Sequence, residues 1–198
     1  MNCILSDLCE YYTGKIATNS LNIKKYISTE NMLPEKGGIT VSSGLPIISL
    51  TNEYKKDNVL VSNIRPYFKK IWYAKQNGGC SNDILVFEAK ENCYPKFLYY
   101  VLSEDKFFDY STLTSKGTKM PRGDKTAIMQ YEVPDFPLPI QRSIAETLSC
   151  LDDKIDLNRK INDYLATIMA LILPQFLRTL AWATGCRGWR QLLNFLSY

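Results

Sequence analysis

The sequence predicts an α+β fold: a strand-rich globular domain followed by one long coiled-coil α-helix. Three observations carry this expectation. Up to about Asp135, short Ile- and Val-rich runs alternate with turn residues. Prolines then punctuate the stretch "VPDFPLPIQRS". Beyond it lies a segment without Gly or Pro whose apolar residues recur every three or four positions.

In the first part, "GLPIISL" (Gly44 to Leu50), "NVLVSNI" (Asn58 to Ile64) and "DILVFEA" (Asp83 to Ala89) read as strands bounded by Gly, Asn, Asp or Pro. Gly37-Gly38 and Asn77-Gly78-Gly79 are turn signals. One helix is expected here. Pro95 suits a first helical position, and Phe97, Leu98, Val101, Leu102 and Phe108 follow at helical spacing.

The long helix opens at Pro139, whose missing N–H costs nothing in a first turn. Ile144, Leu148, Leu151, Ile155, Leu165, Met169 and Ile172 form its stripe, widened by Ile161 and Ile168. Asp153, Lys154, Asp156, Arg159, Lys160 and Asp163 lie opposite. Asn158 and Asn162 fall within the stripe, where a polar residue sets register in a coiled coil. From Ile140 to Leu173 the rod would be roughly 50 Å long at 1.5 Å per residue. That length suits a stripe covered by another helix, from a second copy or from a partner. Pro174 is expected to end or kink the rod, and "GCRGWRQLLNFLSY" follows as a tail of different texture. The expected divisions are 1–138, 139–177 and 178–198.

Composition excludes several chemistries. The 198 residues, 45% hydrophobic and 12% aromatic, suffice for one good-sized domain with an appendage. A net charge of +4 is mild, so clustering says more about partners than the total. With no histidine, triads, imidazole bases and His-containing zinc sites are ruled out. None of the 6 cysteines forms a C-x-x-C pair, which argues against zinc ribbons and thioredoxin-like sites. The acidic, cation-poor opening "MNCILSDLCEYY" is unlike a signal peptide, and no apolar run approaches the ~18 residues of a membrane span. A cytoplasmic protein with reduced thiols is expected, scattered disulfides being the alternative.

Few motifs suit an enzyme. Asp83, Glu88 and Lys90 carry the residue types of a metal-dependent nuclease, with Asp57 as a further acid. Asp83 and Glu88 lie five apart on one expected strand, however, and so face opposite ways. A half-buried strand with a charged, solvated end is the better reading of these residues. "NIRPY" has the wrong register for the N/D-P-P-Y/F/W of amino-methyltransferases, no G-x-G occurs, and no P-loop occurs.

Two basic clusters point instead to nucleic acid. "SNIRPYFKKIWYAKQNGG" (Ser62 to Gly79) holds Arg65, Lys69, Lys70 and Lys75 without an acid, with Tyr67, Phe68, Trp72 and Tyr73 between them. Its aromatics read chiefly as core, and Tyr67 equally as core or contact. "TSKGTKMPRGDK" (Thr114 to Lys125) is a glycine-containing loop with Lys116, Lys119, Arg122 and Lys125 against Asp124 alone. Lysines, here Lys69, Lys70, Lys116 and Lys119, would position phosphates, Arg65 and Arg122 could fork onto guanine, and Thr118 could read another base edge. Taken alone, the first cluster reads more plainly as a strand with a wet face and the second as a solvated loop.

The order of these segments, ending in "PLPIQRSIAETLSCLDDKIDLNRKINDYLATIMALI", resembles the specificity subunit of type I restriction-modification systems over about residues 1–177. The P-L-P-x-x-Q-x-x-I-A-x-x-L opening followed by L-D-D-K-I-x-L-N-R-K-I-N carries most of the likeness. The resemblance implies a target-recognition domain that reads one half of a split duplex DNA sequence. It implies a helix that spaces the halves and docks the methyltransferase subunits, with the motor-nuclease subunit joining through them. S-adenosylmethionine, ATP and Mg would then sit on those partners, with no cofactor, metal or catalytic residue on this chain. Family members usually carry two such domains and two helices. A half-length chain could pair as a homodimer through its stripe or be a truncated product. A fragment that binds the partner subunits without DNA is a further alternative. Residues after about Arg178 match nothing in that pattern.

Overall fold

The computed structural model describes residues 2–184. They fall into two units, the first ending at Thr147 and the second beginning at Leu148. The tail "GCRGWRQLLNFLSY", which is 185–198, lies outside the described residues.

In chain order the strands are β1 (Asn2–Ile4), β2 (Cys9–Tyr11), β3 (Lys15–Ala17), β4 (Tyr26–Ile27), β5 (Leu50–Tyr54), β6 (Val59–Ser62), β7 (Ile71–Tyr73), β8 (Gly78–Cys80), β9 (Ile84–Ala89) and β10 (Glu132–Pro134). The helices are α1 (Leu5–Leu8), α2 (Pro95–Leu102), α3 (Asp105–Leu113), α4 (Lys125–Ile128) and α5 (Leu138–Thr184). The α+β expectation is met: mixed sheets and helices precede one long helix.

One four-stranded antiparallel sheet runs β2-β9-β6-β7, and a second runs β3-β5-β8-β4 with only β4 and β8 parallel. Strands β6 and β9 explain their continuous apolar sequences, because both of their faces are covered. Val59, Val61, Leu85 and Phe87 face a core built with Phe97, Leu98, Leu102, Phe107 and Phe108 of the helices. Leu60, Ile84 and Val86 face a second core with Ile27, Met32, Tyr54 and Cys80. Alternate residues of a strand point to opposite faces, so a strand buried on both sides loses the polar–apolar alternation. Each such side chain contributes about 1.5–3 kcal/mol by leaving water. Gly78 lets β8 approach closely, since a Cβ there would collide with Lys25 O and the Tyr54 ring.

Three local expectations are corrected. The strand expected at Gly44 to Leu50 begins only at Leu50, and Ile47 and Ile48 are exposed at 104% and 49%. Pro46 has no N–H to give a ladder. The pairing is made instead by the more polar "LTNEY", whose register runs from Leu50 opposite Ala17 to Tyr54 opposite Gly78. The single helix expected after Pro95 is two helices. Glu104 is extended (φ −64°, ψ 143°) and interrupts it, while Phe97 and Phe108 still reach one core. Pro174 does not end α5, which continues to Thr184. A proline removes one hydrogen bond from the ladder and leaves its neighbours free to make theirs.

The first turns of α5 belong to the globular unit. Gln141 is 1% exposed. It accepts from the Tyr94 N–H at 2.8 Å and donates to Phe136 O at 2.8 Å and Asn92 O at 3.1 Å. Ala145 is fully buried, and Ile144 packs on the same core. Cys3, Cys9, Cys80, Cys93 and Cys150 are free thiols. Burial pushes the thiols of Cys80 and Cys93 up to about 12, so both stay protonated and inert at neutral pH. No helix among the described residues is long and apolar enough to cross a membrane.

Candidate nucleic-acid interface

The two basic segments, some fifty residues apart in sequence, meet in space. Lys116 and Arg122 exchange backbone hydrogen bonds at 2.9 Å in both directions, closing a loop over residues 117 to 121. Gly117 turns it with φ +95°, a conformation that strains any residue bearing a Cβ. Arg122 also bridges to Ile64, and the Arg65 N–H donates to Pro121 O at 2.8 Å. Asn63 joins three segments: its N–H donates to Asp83 O, and its carbonyl accepts from the Gly123 N–H. Gly123 lets the segments approach closely there, since a Cβ would lie 2.9 Å from Asn63 Oδ1, Ile128 Cδ1 and Ser111 Oγ and these side chains would have to shift.

The eight residues expected to contact DNA, Arg65, Tyr67, Lys69, Lys70, Lys116, Thr118, Lys119 and Arg122, occupy different environments. Arg122 Nη2 donates to Asp83 Oδ1 at 2.9 Å, with the two side chains 58% and 36% exposed. Lys116 pairs with Asp124, whose carboxylate also caps α4 by accepting from Thr126 N and Ala127 N. These contacts, Lys116 foremost, hold the Asp124 carboxyl below the usual range. Thr118 and Lys119 lie exposed on the loop, beside Met120. Lys69 pairs with Asp105 at 3.1 Å, and Lys36 joins the same carboxylate at 2.8 Å. Lys70 is turned inward, donating to Thr29 O at 2.6 Å, and burial lowers its pKa. Arg65 is half-buried with a positive φ of 50°, and its Nε is buried without a hydrogen-bond partner. Arg65, Lys70 and Lys119 enter no ion pair among the described residues, and of the three only Lys119 is fully exposed.

The aromatics divide. Trp72 and Tyr73 pack partly against the cores, as a strand interior should. Tyr67 and Phe68 are 46% and 37% exposed and stack on each other at 4.8 Å. They sit in the tight turn Pro66–Phe68 between two left-handed residues, Arg65 and Lys69, and not in a strand.

The nuclease residues are dispersed. Asp83 holds Arg122, Glu88 of β9 lies opposite Glu10 of β2, Lys90 Nζ donates to Ser6 O at 2.6 Å, and Asp57 accepts from the Tyr73 hydroxyl. The ion-pair roles of Asp83 and Asp124 are not among the expectations above, where Asp83 is a candidate metal ligand and Asp124 a lone acid within a basic loop. For Asp124 a signal was present: an Asp directly before "KTAI" is an N-cap pattern. For Asp83 no local signal exists, because its partner is 39 residues away.

On the long helix, Ile144 faces the globular core and Leu148 is half-buried. Leu151, Ile155, Leu165, Met169 and Ile172 are exposed at 48–56%, and Asn158 and Asn162 are exposed with them. These residues advance by alternating steps of four and three. A second set with the same alternation, Leu157, Ile161, Tyr164, Ile168 and Leu171, is exposed at 44–69%. One residue of offset is about 100° of rotation, so the two seams run side by side.

Comparison with known proteins agrees with this architecture. The family described as type I restriction modification DNA specificity domain matches residues 4–167. The type I restriction enzyme EcoDI specificity subunit of Escherichia coli is 26% identical over 123 residues, which is 62% of this chain and 27% of that protein. Among solved structures, the HsdS subunit of Thermoanaerobacter tengcongensis aligns with a TM-score of 0.60 at 17% identity, covering 89% of this chain and 48% of that one. The type I restriction-modification S subunit of M. genitalium aligns at 0.56 and 18% identity, covering 91% and 43%. At such identities the structural likeness concerns the fold, and the chain spans about half the length of these solved relatives. With the family pattern extending over 4–167, across both the strand-rich unit and most of the long helix, the chain belongs to the family of type I restriction modification DNA specificity domains.

Proposed function

We propose that this chain is the non-catalytic specificity component of a type I restriction-modification complex. Its globular unit reads one half of a split duplex target. The observation that carries this is the junction of the two basic segments, where the Arg122–Ile64 bridge and the Arg65–Pro121 hydrogen bond bring two arginines and an exposed Lys-bearing loop together. Lys119 and Thr118 at the loop tip would meet the phosphate backbone, and Arg122, with Arg65 beside it, a base edge.

The long helix is the assembly element in this proposal. Two adjacent exposed seams are more than one partner helix can cover, since a two-stranded coiled coil buries a single a/d seam. A second copy of the chain would pair along the Asn-bearing seam, and methyltransferase subunits would dock beside it. The motor-nuclease subunit would join through those. S-adenosylmethionine, ATP and Mg would serve chemistry on the partners, in the cytoplasm where the host DNA lies. A homodimer would read a symmetric split sequence.

Methylome sequencing of cells expressing this chain with its methyltransferase subunit tests the proposal. A methylated motif of two short blocks separated by a fixed spacer is expected, and inverted repeats would mark the homodimer. No methylation dependent on the chain, or a contiguous motif, would sink the reading.

A further inference from the structure

We propose that Asp83 is a positioning residue for base reading: its carboxylate holds the Arg122 guanidinium so that the remaining N–H donors face a guanine edge and not a phosphate. This rests on the DNA-recognition reading above and names the residue that makes one of its contacts selective.

Both ends of the Arg122–Asp83 pair stand on fixed backbone. Arg122 is held by two hydrogen bonds to Lys116, and Asp83 by the Asn63 N–H at its carbonyl and by Ser81 Oγ at its own N–H. Asn63 also binds Gly123, so the segments carrying the acid and the arginine are fastened to each other through one residue. Arginine has five N–H donors in a planar fork, and the 2.9 Å bond from Nη2 uses one. The side chain remains 58% exposed, which leaves the other donors available to a ligand.

A free, exposed arginine is indiscriminate. Phosphates outnumber any one base, and the guanidinium fork fits them as well as it fits guanine. An anchored carboxylate at 2.9 Å alters that preference in two ways. Its negative charge offsets that of the arginine and repels an approaching phosphate. It also removes rotamer freedom before binding, so the two-acceptor edge of guanine, O6 with N7, meets a fork already oriented. Asp83 thus acts through Arg122, against non-specific contacts and toward one base pair. Lys119, in no ion pair among the described residues, keeps the general phosphate affinity.

The test is selection from a random duplex DNA library by the full chain assembled with its methyltransferase subunit. Wild type, Asp83→Asn, Arg122→Ala, Arg122→Lys and the double variant Asp83→Asn/Arg122→Ala are compared. Asp83→Asn is expected to lose preference at one base-pair position by about tenfold or more, with affinity for random duplex equal to or above wild type and a steeper dependence on salt. Arg122→Ala should lose the same position, and the double variant should lose nothing further. Arg122→Lys removes the fork and should lose that position too, and Asp83→Ser, likewise without the carboxylate, should behave as Asp83→Asn and carries the test should Asp83→Asn fail to fold. An unchanged motif in Asp83→Asn, a retained position in Arg122→Lys, or a further loss in the double variant each overturns the inference. If wild type selects no motif, the DNA-recognition reading fails, and the inference with it.

Discussion

Replacing Gln141 with alanine should destabilise the globular unit by about 2–4 kcal/mol. Its amide makes three hydrogen bonds at 2.8, 2.8 and 3.1 Å, to Tyr94 N, Phe136 O and Asn92 O, at a site 1% exposed to solvent. Each is worth about 0.5–1.5 kcal/mol net, and truncation leaves one N–H and two carbonyls to find water in a closed site. For a unit of this size the loss corresponds to a fall in melting temperature of roughly 5–15 °C. Urea unfolding followed by near-ultraviolet circular dichroism measures it, since that signal follows packed aromatic side chains more than the helical content of α5. Gln141→Met, similar in length but without the amide, should lose nearly as much, because packing is kept and the hydrogen bonds are not. Gln141→Glu keeps the acceptor for Tyr94 but sets a carboxylate against two carbonyls. It should be as damaging as alanine at neutral pH and milder in acid, where the protonated carboxyl donates to one of them. A loss below about 0.5 kcal/mol for alanine, or a glutamate tolerated at neutral pH, would refute the view that this amide fastens the start of α5 to the loops at Asn92 and Phe136.

Lys119→Ala should weaken specific and random DNA alike and reduce the salt slope by about one, whereas Arg122→Ala should cost about 1–3 kcal/mol at a single base-pair position; titrations of matched and scrambled duplexes at several salt concentrations separate them. Replacing Asn158 and Asn162 with leucine should stabilise self-association of the long helix while loosening its register and stoichiometry, read by sedimentation velocity over a range of concentrations. Lys36 and Lys69 hold the Asp105 carboxyl below its ordinary value of 3.8. A depressed folded pKa contributes stability above the unfolded value that is lost as pH falls through the folded one. The stability difference between wild type and Asp105→Asn should therefore be present at pH 7 and vanish in acid below 3.8, in paired denaturation curves.

Local patterns translated well where one residue type had one local consequence. Pro139 lies in the first turn of α5, and the apolar repeat over 151–172 forms an exposed helical seam. "VLVS" and "ILVFEA" are strands. Reading failed where pairing overrode propensity. "GLPIISL" is the more apolar run, yet "LTNEY" became the strand because Lys15–Ala17 and Gly78–Cys80 offered it hydrogen-bond partners on both sides. In "IRPYFKK" the paired left-handed residues Arg65 and Lys69 made a turn that exposes Tyr67 and Phe68, and periodicity could not foresee it.

The sequence by itself determined the fold class, the family, the two basic segments and the apolar stripe of the helix, because each is written in neighbouring residues or in the order of segments. Only the tertiary structure decided which cations are free. Arg122 with Asp83, Lys69 with Asp105 and Lys70 with Thr29 are contacts between segments distant in sequence. Such pairs form when β-bridges and loop hydrogen bonds bring the segments to within about 3 Å, and Coulomb attraction and hydrogen bonding act on that distance alone. A count of lysines and arginines is blind to it: the loop from Lys116 to Arg122 holds both an exposed Lys119, in no ion pair among the described residues, and an arginine already committed to an acid.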